Sequence, residues 1–296
     1  MTPNKIDVFL NELRNALEGC DPALVQDALS DAEDHLRTAL KASGAEVPDI
    51  SENAQVDSIL DKYGSPREIA DAYRDLEKRS YPFIRKRETR HKTNLMAGFF
   101  GVLSDPAAWS ASLYMLFSVL TGSVFGFWVL FGGAFCLFSL ILIIGIPVAG
   151  LFILSIRGIA LVEGRLIEAL LHMRMPRKPL FLEKGLSWKQ KLTMIITEGH
   201  TWKVMAYLIL QLPLSFVYSL STLFLFSLSA KFMAYPVLNA FFGRSLLNLG
   251  GPIVAPPWMY PLVFLGGAFA FAGTLHLAKW AGRLHSRYAK AMLVRK

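Results

Sequence analysis

Two cysteines, six histidines and 23 acidic residues in a chain of 296 leave little from which to build a reactive centre. Cys20 falls in a polar segment and Cys136 in an apolar one, which excludes a disulfide framework and a thiolate metal site. No P-loop, nucleophile elbow or CxxC pattern occurs, so phosphoryl transfer, serine hydrolysis and thiol redox chemistry lack their parts. Glu168 and His172 stand four residues apart, but no third ligand or HExxH pattern accompanies them, and a zinc site is not expected. The expectation is therefore no catalytic residue, no cofactor, no metal and no enzymatic activity. There is no signal-peptide pattern either, since the first apolar residues belong to an acidic amphipathic segment.

The most informative absence is that of charge. Residues 106 to 156 contain no Lys, Arg, Asp, Glu or His. A bilayer hydrocarbon core of roughly 30 Å takes about 20 helical residues, so this run holds two spans. They are expected at about 107–131 and 134–156, with Gly132-Gly133 as the turn. Two further stretches, free of Lys, Arg, Asp and Glu over 204–230 and 261–278, predict spans at about 204–230 and 261–281. Lys and Arg crowd residues 78–92, 157–203 and the tail from Lys279, while the opposite connections carry only Lys231 and Arg244. The positive-inside rule then places both termini in the cytoplasm, with 157–203 a cytoplasmic amphipathic connection and 231–260 an outer loop.

Charge also divides the chain. Met1 to Glu77 carries 17 acidic against 7 basic residues, a net of about −10, whereas Lys78 to Lys296 carries 6 against 24, about +18. A pI near 9.5 raises the question of nucleic acid. The positive charge lies beside the spans, however, so anionic lipid at the cytoplasmic face is the expected partner and nucleic acid is not. The domains are 1–77 acidic and cytosolic, 78–106 a basic juxtamembrane linker, and 107–296 membrane.

The acidic part reads as a helical bundle. Ile6, Phe9, Leu10, Leu13 and Leu17 recur at helical spacing. Leu24, Val25, Leu29, Ala32, Leu36 and Leu40 do so again after Asp21-Pro22, a helix that Gly44 should end. A third helix brings Val56, Ile59 and Leu60 inward and stops at Gly64. Ser65, Pro66 and Glu68 predict a capping box opening a fourth. Asp31, Asp34 and His35 share a helix surface; a solvated acidic face is favoured there over metal ligation. These residues, with the run from Leu60 to Ala70, resemble the HAAS domain, an α-helical cytoplasmic module found ahead of diverse bacterial membrane and signalling domains. That resemblance covers about residues 4–80 and implies a protein-interaction or signal-coupling role.

The membrane part carries an internal repeat. Asp105, Trp109 and Tyr114 have the same spacing as Glu198, Trp202 and Tyr207, and each set opens a hairpin followed by a basic stretch. Two parallel hairpins are expected. Trp109 and Trp202 suit the interfacial aromatic belt. Pro147 and Pro213 are expected to kink the second and third spans. Gly266, Ala270, Thr274, Ala278 and Gly282 form a small-residue stripe for packing within the bundle, with homodimerisation as the alternative. His276 is expected to be the one ionisable side chain within a span, a pH switch or an interfacial residue.

Gly145-Ile146-Pro147, the run Arg157 to Leu166, Trp202 to Pro213, and His276 to His285 resemble the sensor-domain family that often precedes histidine kinases in Gram-positive bacteria. The resemblance spans about 95–293 and implies a four-span signalling module. The short tail after the last span leaves no room for a kinase, so output is expected through residues 1–77 or a separate protein. The overall expectation is all-α, a small cytosolic helical bundle followed by a four-helix transmembrane domain built as two repeated hairpins. Its function is sensory or regulatory, relaying a membrane signal to a cytosolic or membrane protein partner. The competing function is an accessory subunit or small transporter in a transport complex.

Overall fold

The computed structural model describes residues 5–42, 50–80, 95–139, 141, 145–177, 199–242 and 255–294. Among them every regular element is helical and none is a strand. The fold is all-α, and the chain divides into two compact units.

The first unit contains α1 (Lys5–Ala16), α2 (Pro22–Ala42), α3 (Ile50–Tyr63) and α4 (Pro66–Ser80). The stripe of α1 buries Ile6, Phe9 and Leu13, with Leu17 just beyond, against Ala28, Ala32 and Leu36 of α2, Val56 of α3 and Ala70 of α4. The alanines let the helices approach while the large residues come mainly from α1. Each boundary has a local cause. Gly19 and Gly64 adopt φ of +82° and +101°, the left-handed conformation that ends a helix and that glycine tolerates best. The Asp21 carboxylate accepts the Ala23 amide at 2.9 Å to cap α2. The capping box forms as read: the Ser65 amide donates to Glu68 Oε2 at 2.9 Å and the Glu68 amide to Ser65 Oγ at 3.3 Å. Those bonds from Ser65 hold the Glu68 carboxyl below its ordinary value. Asp31 accepts a hydrogen bond from Tyr73 at 2.8 Å, and His35 stacks on Tyr63. Asp34 is half-buried on the same helix. Burial first, then Asp31, pushes the Tyr73 phenol up. Gly44 and residues 81–94 of the basic linker lie outside the described residues.

The second unit holds α5 (Leu95–Phe100), a 3₁₀ turn, and then α6 (Pro106–Ser139), α7 (Gly145–Leu171), α8 (Gly199–Phe242) and α9 (Tyr260–Leu293). The last four are long and apolar enough to cross a membrane, and this is a membrane protein. Asp105 caps α6, accepting the Ala107 amide at 3.0 Å.

Several boundaries differ from expectation. No turn occurs at Gly132-Gly133, because α6 runs through to Ser139. Gly132 serves close packing instead: a Cβ there would come within 2.6 Å of the Phe152 ring on α7. Pro147 produces no kink in mid-span, since it is the third residue of α7, where a missing amide proton costs no intrahelical bond. Pro213 does fall inside its helix, as does Pro236. The segment 231–242, expected as loop, continues α8. At 1.5 Å per residue the 44 residues of α8 reach about 66 Å, twice the hydrocarbon thickness. Loss of apolarity ends a span but need not end a helix. For the same reason α7 runs on to Leu171 and α9 to Leu293, past the expected limits at 156 and 281. Residues 243–254 of the expected outer loop and Glu198 lie outside the described residues.

Candidate functional site

Where α7 continues past residue 156, Ile156, Glu163 and Ile167 fall on one face, and all three are fully buried. A carboxylate thus occupies a position otherwise suited to isoleucine. On α9 the buried face passes through Ala278, Gly282, His285 and Ala289. A Cβ on Gly282 would come within 2.9 Å of Leu171 and 3.2 Å of Ala111, so this face lies close against both α6 and α7. α6 contributes Tyr114, and α8 contributes Tyr207 and Gln211 one turn apart, each at most 2% exposed.

These side chains meet around one carboxylate oxygen. Glu163 Oε1 accepts from the Tyr114 hydroxyl at 2.6 Å, from Gln211 Nε2 at 2.7 Å and, more weakly, from the Tyr207 hydroxyl at 3.4 Å. His285 Nε2 lies 2.7 Å from the Tyr114 hydroxyl and 3.2 Å from that of Tyr207. Tyr218 presents its ring edge-on to His285, and Tyr288 packs against Tyr207. Glu163 Oε2, Gln211 Oε1, His285 Nδ1 and the Tyr288 hydroxyl are buried without a hydrogen-bond partner. Since an unpaired buried polar atom costs on the order of 1–3 kcal/mol, such a cluster is a strained, high-stakes junction of four helices.

Chemically the cluster can hold a proton and exchange it along a hydrogen-bonded path. Among the described residues no group of three or more His, Cys, Asp or Glu is placed to hold a metal.

Tyr114 and Tyr207, matched by the internal repeat, are brought together on the same two groups, Glu163 Oε1 and His285 Nε2. Their companions Trp109 and Trp202 are exposed at the helix surface, as an aromatic belt requires; the Trp109 indole donates to the Leu103 carbonyl at 2.8 Å. The small-residue stripe divides in two. Thr274, Ala278 and Gly282 are buried, whereas Gly266 and Ala270 are exposed. His276 lies 3.0 Å from the Phe99 carbonyl and stacks on its ring, tying α5 to α9, and Lys279 pairs with Asp105 beside it. His276 is not the lone ionisable group of the spanning helices, because Glu163 and His285 lie within them too. Neither is found by the expected spans at 134–156 and 261–281, because both residues lie beyond those limits on helices that continue. The available signal was Glu163 in register with Ile156 and Ile167. Pro147, Pro213, Asp31, Asp34, Ser65, Pro66 and Glu68 take no part in this cluster.

The first unit has its own buried ion cluster. Arg174, three residues beyond the end of α7, is assigned to this unit, where it lies 3.6 Å from Asp27 and 3.3 Å from Glu77. The Arg177 amide donates to Asp27 Oδ1 at 2.7 Å. Part of the basic connection therefore folds against the acidic bundle.

Comparison with known proteins supports both halves of the reading. Residues 9–72 match the HAAS family, while no curated protein and no solved structure matches the chain. Residues 114–293 match the family described as "Putative sensor", a stretch that begins at Tyr114 and includes every member of the buried cluster; this is more than half of the chain, which belongs to that family.

Proposed function

We propose that this protein is a sensory or regulatory component of the bacterial cytoplasmic membrane, relaying a membrane or cell-surface signal to a cytosolic partner through its N-terminal bundle. The observation that carries this reading is the joining of a HAAS bundle to a sensor-family membrane module, with Arg174, immediately after α7, clasped by Asp27 and Glu77 of the bundle. Arg174 follows the end of α7 by three residues in the chain, and its contacts with α2 and α4 are ion pairs. The Lys and Arg distribution supports cytoplasmic termini, with anionic headgroups around Arg165, Arg283 and Arg287. Catalysis has no part in the proposal; the Glu163 carboxylate is fully buried, away from any substrate in solution.

Crosslinking in native membranes, with and without residues 1–77, tests the relay. The expected result is a protein partner captured by the full chain and lost on truncation, while the membrane part stays inserted. Capture of lipid and of the chain itself alone would overturn it.

A transport role is the second reading, favoured by one observation. Glu163 supplies a buried carboxylate of the kind ion-coupled transport uses. Solute flux that survives truncation of residues 1–77 would select this reading over the first.

A further inference from the structure

We propose that Glu163, Tyr114 and His285 form a proton-binding site in which a proton taken up at the imidazole is stored on the carboxylate. The inference deepens the regulatory reading and rests on it for its consequence, by supplying a stimulus.

Counting hydrogens leads there. Tyr114 lies 2.6 Å from Glu163 Oε1 and 2.7 Å from His285 Nε2, yet its hydroxyl carries one hydrogen. With Glu163 ionised, that hydrogen goes to Oε1, so His285 must donate its Nε2 hydrogen to the phenol oxygen. His285 Nδ1 then bears a lone pair, and it has no partner. The cluster carries one net negative charge in this state. When a proton adds at Nδ1, the Nε2–H bond breaks and its hydrogen passes to the Tyr114 oxygen. The Tyr114 O–H bond breaks in turn and delivers its hydrogen to Glu163 Oε1. One proton has entered, the carboxyl is neutral, His285 has exchanged tautomers, and both hydrogen bonds persist with their directions reversed.

The surroundings favour a single shared proton. Among the described residues Glu163 has no Lys or Arg partner. On α8, the Tyr207 hydroxyl approaches Glu163 Oε1 and His285 Nε2 at 3.4 and 3.2 Å, Gln211 donates to Oε1, and Tyr218 faces His285 with its ring. On α9, Tyr288 lies near the imidazole, while Arg283 and Arg287 are exposed. On α7, Arg165 is engaged with Glu168 at 3.1 Å on the exposed side. Lys279 is held by Asp105. Because the wire joins α6, α7 and α9, loading it reverses the donor pattern at a three-helix junction.

The test uses the full chain in lipid nanodiscs across a pH series. Two signals are read: the carbonyl stretch of a protonated carboxyl by infrared difference spectroscopy, and the His285 tautomer by nitrogen NMR on labelled histidine. The wild type should gain the carboxyl band and switch tautomer at one common midpoint, as a coupled pair does. Glu163→Gln should lose the band and hold His285 in one tautomer. Tyr114→Phe, which keeps the ring and removes only the relay oxygen, should separate the two midpoints by on the order of one pH unit. A band that persists in Glu163→Gln, a tautomer that never changes in the wild type, or a common midpoint retained in Tyr114→Phe would overturn the proposal. Failure here leaves partner capture by the bundle intact, whereas failure of the regulatory reading leaves the band and the tautomer switch intact.

Discussion

Glu68 and Tyr73 show how single side chains tie the N-terminal bundle to pH, with opposite signs. The Glu68 carboxyl is held below its ordinary value of 4.5 by its bonds to Ser65, so its capping contribution is present above that value and lost as pH falls through the folded one. Glu68→Gln should remove this component of acid sensitivity, measured as a flatter dependence of the bundle's thermal midpoint on pH below neutrality. The Tyr73 phenol is pushed up by burial and by Asp31, so its contribution is complete below an unfolded value near 10 and is lost as pH rises beyond it. Tyr73→Phe should lower the midpoint at neutral pH through loss of the 2.8 Å bond to Asp31 and flatten its alkaline decline. An unchanged alkaline slope would show that another group governs it.

At the scale of the helix, glycines and apolar stripes decide which contacts form. A Cβ at Gly122 would meet Ser215 Oγ at 2.5 Å, one turn from Gln211, and the carbonyl of Gln211 itself at 3.0 Å, whereas one at Gly266 would meet nothing within 4 Å. Gly122→Val should destabilise the α6–α8 contact by about 1–3 kcal/mol, as overpacking does, and should disturb the cluster. Gly266→Val should leave monomer stability unchanged, measured by thermal unfolding in detergent. A lowered dimer fraction for Gly266→Val would favour the homodimer use of the exposed half of the stripe.

Much of this scale was legible beforehand. The Ser65–Glu68 box, the Ile6-Phe9-Leu13-Leu17 face and the Tyr114/Tyr207 correspondence each rest on local spacing, which sequence records. The continuation of α6 through Gly132-Gly133 and of α7 to Leu171 was not, because glycine reads as a turn signal until a neighbour such as Phe152 gives it a packing role. Nor was the convergence of Glu163 with His285, which depends on contacts between helices far apart in the chain.

For the molecule as a whole, the proposed relay makes the ion cluster of the first unit its test point. Asp27 and Arg174 are each more than nine-tenths buried in the first unit, so removing either leaves a charge with fewer partners than it needs. Arg174→Met should cost about 3 kcal/mol in the stability of that unit, and Asp27→Asn with Arg174→Met together should cost less than the sum of the two. Additive effects would show that the pair is not coupled. In the proposed relay, Arg174 is the point at which the bundle would receive a change from the membrane module. The most direct measurement is hydrogen–deuterium exchange of the full chain in nanodiscs, comparing the wild type with Tyr114→Phe, a change confined to the membrane cluster. A relay through Arg174 requires altered protection in α2 around Asp27 and in residues 174–177. Exchange that changes in α6 to α9 but is identical throughout α1 to α4 would contradict it.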